Sequence, residues 1–284
     1  MIRIKIFRLD TFTDTVFSGN PAMVCPLPEW LPEDVLQGIA AENNSETAFI
    51  VGGHSSYHIR WFTPVCESNL SAHATLAAAK VIRDELGDMS KTLTFKSLRG
   101  ELTANFLDKR VELSLPIDYP FESKMPEELK QELGFTPVAA MLGQDDWLVV
   151  APEESIVSGM NLVLLDNPAC HTRGMVVTAA SDTPGTDFVS RCFGGPGTGI
   201  IEDPLNASAH SLLTAYWSEK LDKNLLIAKS ASHRGGEIEC QLKHDRVLIR
   251  GEAKLYMDGE LRVPGDYFAA ENLYSDSVVH TRTY

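Results

Sequence analysis

The chain has 284 residues, 44% of them hydrophobic and 23% charged, enough to bury two modest cores. Its 25 Lys and Arg against 39 Asp and Glu give a formal charge of −14, which argues against a nucleic-acid groove or an anionic membrane surface as partner. No stretch approaches membrane-spanning length and the alternating, charged start lacks the apolar core of a signal peptide, so the expected location is cytoplasmic.

Alternation or short apolar runs predict strands at Ile2 to Asp10, Thr47 to Val51, His58 to Phe62, Leu93 to Lys96, Glu101 to Phe106 and Val111 to Leu115. Between them, Pro32 to Asn43 opens with a proline and acids in its first turn, and Ala72 to Leu86 stops at Gly87; both read as helices. A strand end at Leu115 and two prolines, Pro116 and Pro120, place a lobe boundary there, giving an N-terminal lobe over 1–116 and a C-terminal lobe over 117–284. In the second lobe the strands are Asn161 to Leu165, Gly174 to Ala180, Phe188 to Phe193, Leu225 to Ala228, Glu237 to Leu242 and Arg246 to Tyr256. Its dominant helix is expected over Asp203 to Leu221, with Leu212, Leu213, Tyr216, Trp217 and Leu221 inward. The tail after about 263 is not placed by its pattern, and packing on the first lobe is one option.

The chain repeats itself. Glu67 to Ala74 and Glu202 to Ala209 share E-x-x-L-[SN]-A-x-A at an offset of 135 residues, each running into a helix. Arg60-Trp61-Phe62 matches Arg191-Cys192-Phe193, and Lys96-Ser97 with Arg99-Gly100-Glu101-Leu102 matches Lys229-Ser230 with Arg234-Gly235-Gly236-Glu237-Ile238. A unit of this length is a small domain, so the fold class is α+β: two pseudo-symmetric lobes, each mostly sheet around one helix, with a cleft between them. Both motifs enter helices, so free N–H groups and two helix dipoles would converge on that cleft, a carboxylate or phosphate site that an acidic protein can build without a lysine cluster. The alternative, that these are ordinary capped helix ends, stays open here.

Ser18-Gly19-Asn20-Pro21-Ala22, Asn44 to Phe49, Phe62-Thr63-Pro64, Ala72 to Ala79, and Glu202-Asp203-Pro204 with Ser208-Ala209-His210 occur in order over about residues 1–262, and together they resemble the PhzF phenazine-biosynthesis family. The resemblance implies a diaminopimelate epimerase-like fold, each lobe a mixed sheet wrapped around a central helix, and a homodimer. It also implies site residues. Glu46 matches the glutamate of the family's S-E-T-A motif, its proposed acid/base; His73 matches the histidine of G-H-A-T; Asp203 and Ser208 match the aspartate and serine at the second helix entrance. Substrate contacts are expected from Ser71, Ala72, Asn206, Ala207 and Ser208, with Asn20.

Independently of the family, Glu46 sits between a helix end and an apolar strand, a setting that raises a carboxyl's pKa toward neutrality. The chain departs from the family pattern at Ser71-Ala72 and Leu205-Asn206-Ala207; Ala72 and Ala207 stand where members commonly have glycine, so their Cβ atoms are expected to narrow the pocket or alter its turns. The related epimerases use paired cysteines where this chain has Ser71 and Asn206, and neither can serve as such a base. The five cysteines are scattered and odd in number, so no disulfide framework is expected. No cofactor or metal is expected, because no His/Cys/Asp cluster has ligand spacing and the Gly194 to Gly199 run lacks a phosphate-loop ending. That run is expected to be a loop at the cleft mouth. The implied function is a cofactor-independent isomerase moving a proton or hydrogen between carbons of a small carboxylate-bearing metabolite; trans-2,3-dihydro-3-hydroxyanthranilate is the family's best-known substrate. A non-catalytic small-molecule binding protein, or a racemase with a non-thiol base pair, are the alternatives.

Overall fold

The computed structural model describes residues 1–264. Strand β1 (Ile2–Thr11) pairs antiparallel with β2 (Asn20–Leu27), helix α1 (Glu33–Asn43) crosses over, and β3 (Thr47–Gly53) returns parallel to β2. Next come β4 (Ser56–Phe62), antiparallel to β3, the two-residue β5 (Glu67–Ser68) and helix α2 (Ala72–Asp84). β6 (Thr92–Ser97) lies parallel to β4, and β7 (Gly100–Leu107) and β8 (Arg110–Pro116) close the first lobe as a meander.

The same order then runs again. β9 (Phe121–Glu122), α3 (Glu127–Leu133) and β10 (Ala139–Leu142) lead to β11 (Asp146–Val150), then α4 (Glu154–Gly159) and β12 (Gly174–Ala180), which is parallel to β11. β13 (Phe188–Gly194), β14 (Glu202–Asp203), α5 (His210–Leu221), β15 (Leu225–Ser230), β16 (Glu237–Lys243) and β17 (Arg246–Gly251) repeat the pairings of β4 to β8. β17 then pairs antiparallel with β8, from Val111 opposite Gly251 to Pro116 opposite Arg246. This joins the two halves into one sheet of 18 strands among the described residues.

Each half wraps its helix. α2 is buried on nearly every side from Ala72 to Ile82, which its alanines allow, because a narrow helix lets the surrounding sheet close in. α5 is wider and stacks Trp217 on Phe188, rings 5.6 Å apart, with the indole N–H on the Thr178 hydroxyl. The repeated Arg and Glu form matching forks: Arg60 meets Glu67 at 2.7 Å through both Nε and Nη2, and Arg191 meets Glu202 at 2.7 and 2.8 Å. Each guanidinium lies over the phenylalanine two residues on, Phe62 or Phe193.

Several expectations need correction. The stretch expected as one strand over Arg246 to Tyr256 changes partners at Glu252, because the Phe12 ring packs against Gly251 where a Cβ would meet its Cδ1 at 2.3 Å and Phe12 N–H bonds the Glu252 carbonyl. β18 (Ala253–Val263) therefore leaves β17 and runs the length of β1, so a strand placed in the C-terminal lobe by the 117–284 division is paired within the first. Asn161 to Leu165 is no strand; Leu162 and Leu164 are buried and Val163 is exposed, an alternation produced by an irregular segment pinned to the core. The second helix begins at His210 rather than Asp203, since Glu202 and Asp203 are used in β14. Leu86 is 40% exposed beyond the end of α2. β2, with prolines at 21 and 26, was not expected, nor were β9 to β11, α3 and α4. The tail after about 263, apart from Pro264, lies outside the described residues.

The forks differ in one respect that can be measured. Arg60 has a second carboxylate, Glu33, at 3.0 Å, whereas among the described residues the other guanidinium falls back only on carbonyls at the α4 end, Met160 among them. Glu202→Gln is expected to lower stability by about 1–3 kcal/mol in urea denaturation, and Glu67→Gln by clearly less.

Candidate active site

The helix entrances of the two lobes face each other across a cleft of about 260 Å³ lined by Glu46, Ser71, His73, Asp203, Asn206 and Ser208. This is the volume of one small metabolite. Glu46 is placed by the end of α1: Asn44 takes the left-handed conformation (φ 45) that stops the helix, its N–H bonding the Ala41 carbonyl, and the chain turns directly into β3. The Glu46 carbonyl accepts Met23 N–H at 2.9 Å, so its backbone is fixed at the start of the parallel β2/β3 pair.

The Glu46 side chain is 12% exposed and its Oε2 lies 3.5 Å from His73 Nε2, a ring 6% exposed. Burial pushes the Glu46 carboxyl up to about 7; the Ser71 hydroxyl and the Arg173 charge pull it partly back. Burial lowers the His73 pKa, opposed by the charge of Asp203. Asp203 is itself raised by burial, with His73 lowering it and Glu46 raising it. The cleft thus holds two acids drawn toward protonation beside a histidine drawn toward neutrality, a set that can accept and return a proton near neutral pH.

The helix entrances are built alike. Ser71 Oγ accepts Ala74 N–H at 3.4 Å, and at the equivalent place Asn206 Oδ1 accepts Ala209 N–H at 3.0 Å. Thr75 Oγ1 bonds the Ser71 carbonyl, and His210 Nδ1 the Asn206 carbonyl at 2.8 Å. The lobes also meet directly, Ala72 N–H donating to Ser208 Oγ at 3.2 Å. Ser71 and Asn206 are therefore helix caps as well as cleft-lining groups. Among the described residues no acceptor meets the N–H groups of His73, Ala207 or Ser208.

Ala72, Ala207 and Asn20 are not among the residues that line this cleft. Ala72 and Ala207 are fully buried in the main core cluster and neither has a positive φ. Asn20 Nδ2 donates to Asp203 Oδ1 at 2.7 Å and to the Leu205 carbonyl at 2.9 Å, fixing the acid, and the residue borders an adjoining pocket together with Glu46, His73 and Asp203. The Gly194 to Gly199 run does border the cleft, through Gly194 and Thr198, and Gly199 approaches Val65 of the first lobe so closely that a Cβ would meet Cγ1 at 2.8 Å.

The far wall was not expected. Arg173, Asp146, Arg99 and Asp145 line the same cleft, with Arg173 forked onto Asp146 and Arg99 reaching Asp145 from the other lobe at 3.2 Å. The parallel β11/β12 register, Asp146 opposite Gly174, puts Asp146 beside Arg173. Nothing in the local sequence of either residue signals this, so an acidic protein does carry cations in its cleft.

A family model described as phenazine biosynthesis-like protein, PhzC-PhzF, matches residues 9–259. The chain belongs to that family. An uncharacterized isomerase of Pseudomonas aeruginosa is 42% identical to it over 265 residues, spanning 92% of this chain and all of the relative. The human phenazine biosynthesis-like domain-containing protein is 37% identical, spanning 92% and 99%. The crystal structure of a PhzF-family protein from Enterococcus faecalis superposes with a TM-score of 0.84 at 38% identity, spanning 92% of this chain and 100% of that one. The fold is α+β of the diaminopimelate epimerase-like kind.

Two measurements follow from the geometry. Because the folded pKa of Glu46 lies above its ordinary 4.5, the native state holds a proton the unfolded state releases; the associated stability is complete below pH 4.5 and is lost as pH rises to about 7. Glu46→Gln is expected to match wild type in thermal or urea stability at pH 4 and to exceed it at pH 8, by up to about 3 kcal/mol. Ala72→Gly and Ala207→Gly should each cost roughly 1 kcal/mol of stability and leave ligand affinity within twofold, since the atoms removed line the core.

Proposed function

We propose that this protein is a cofactor-independent isomerase that moves a proton between carbons of a small carboxylate-bearing metabolite, with Glu46 as the acid/base. The observation that carries this reading is the Glu46 carboxyl, brought to a pKa of about 7 inside the cleft and aligned on His73 at 3.5 Å. Relatives over almost the whole chain bear the name isomerase, which supports the reaction class.

In this reading ionised Glu46 removes a proton from a carbon made acidic by neighbouring unsaturation. The C–H electron pair passes into the conjugated system, a double bond shifts, and Glu46, now protonated, returns the proton at another carbon. Nothing is oxidised or reduced overall. Neutral His73 holds the carboxyl in line, and Asp203, fixed by Asn20, meets a polar substituent. The substrate carboxylate rests on the N–H groups of His73 and Ser208, which meet no acceptor among the described residues and where the two helix ends add their positive potential. Ser71 and Asn206 are occupied as caps and lack acid/base side chains, which speaks against a two-base racemase at those positions.

Screening small carboxylic acids by thermal shift, then following hits in deuterated water by NMR, tests the proposal. Glu46→Gln should reduce deuterium incorporation or isomerisation by about 10²–10⁴ while leaving binding within about tenfold. The wild-type kcat/KM should rise through about pH 7 as Glu46 ionises, a limb the variant lacks. Near-wild-type turnover in the variant removes Glu46 from the mechanism. Binding without exchange in wild type would leave a small-molecule binding protein.

A further inference from the structure

Arg173 has no part in the proton transfer described above, yet it lines the cleft in which that transfer is placed. Its backbone is held on both sides, the N–H by the Asp145 carbonyl at 2.8 Å and the carbonyl by Gly195 N–H at 2.7 Å. Its guanidinium is held too. Nε and Nη2 both engage the carboxylate of Asp146, a residue only 5% exposed, while Nη1 has no acceptor among the described residues. The cation reaches the reacting groups electrically, pulling down the pKa values of both Glu46 and Asp203.

With the Asp146 carboxylate buried and the Arg173 guanidinium about a third exposed, the pair gains little over apolar packing, because solvent screens the attraction while the carboxylate still bears its desolvation cost. Stability alone is therefore a weak reason for this one to occupy the wall of a cleft. A guanidinium locked along one edge with donors left on the other is what recognition of a planar oxyanion requires. The setting sharpens the point. Without Arg173 the cleft of a protein with net charge −14 would be lined by Glu46, Glu67, Asp145, Asp146 and Asp203, with Arg99 as the remaining arginine among the described residues.

Resting on the reading of the cleft as a carboxylate site, we infer that the substrate carries a second carboxylate, and that Arg173 is the residue that holds it. One end of the molecule lies on the helix-entrance N–H groups and the other on the Arg173 guanidinium, with the carbons that exchange the proton beside Glu46. Asp146 is a positioning residue, acting through the guanidinium it fixes. The substrate class is thus a small unsaturated dicarboxylate. Such a two-point hold also fixes which carbons face Glu46, and so which double-bond shift is made.

The test compares acids of matched length. Saturated dicarboxylates from succinate to suberate and the corresponding monocarboxylates from butyrate to octanoate are titrated calorimetrically into the full chain at pH 7.5. At the chain length that fits, the diacid is expected to bind at least about tenfold more tightly than its monoacid. Arg173→Gln should bring that ratio to within twofold, and Arg173→Lys should keep part of the preference. Because the glutamine variant strands the Asp146 carboxylate, Arg173→Gln with Asp146→Asn is measured alongside, each variant first shown to melt cooperatively. Monoacid binding with no diacid preference at any length overturns this inference alone and leaves the isomerase reading standing. A preference that survives in the double variant overturns the assignment to Arg173. Failure of every acid to bind wild type overturns the carboxylate site itself, and this inference with it.

Discussion

The antiparallel pairing of β8 with β17 is the constraint from which the rest of the architecture follows. It is a contact between strands more than a hundred residues apart, and it turns two similar half-sheets into one continuous sheet. Because each half wraps its own helix, joining them edge to edge brings the N-terminal ends of α2 and α5 to the same place. The hydrogen bond from Ala72 N–H to Ser208 Oγ is the local record of that meeting. Neither lobe forms the cleft by itself: Glu46 and His73 come from one, Asp203, Ser208 and Arg173 from the other.

Duplication explains much of the hydrogen bonding at the cleft. Ser71 and Asn206 perform the same capping bond three residues ahead, and Thr75 and His210 the same bond four residues back, although the residue types differ in each pair. The two Arg–Glu forks likewise hold β4 to β5 and β13 to β14, so that each entrance is approached from a fixed direction. What the two halves do not share is chemistry. The titratable groups drawn toward neutrality sit around the entrance to α2 and on β14, while the far wall carries the arginines.

Burial is the force that tunes these groups. Glu46 and Asp203 are both raised because water is excluded from them, and His73 is lowered for the same reason. The Arg173 cation limits the shift of both acids, keeping Glu46 near neutrality, where a carboxyl can act in either direction. A chain of strongly negative net charge therefore contains a cleft in which two arginines, each paired with an aspartate, stand among the acids.

The sequence by itself determined the duplication, the α+β class, most of the strands in both lobes and the cluster of Glu46, His73, Asp203 and Ser208, because these lie in short contiguous motifs that repeat or resemble a family. It did not show β2, where prolines interrupt the alternation, or the break at Gly251, where the ring of Phe12, far away in the chain, decides which neighbour a strand can have. For Ala72 and Ala207, residue type says that a Cβ has replaced a hydrogen, but only the packing says that both residues are buried in the main core cluster. It was silent about Arg173 and Asp146, since their pairing comes from a parallel strand register and their place in the cleft from the way the lobes join. Local pattern is written residue by residue and can be read that way; which side chains share a cavity is fixed by contacts between distant strands, and that only the tertiary structure decided.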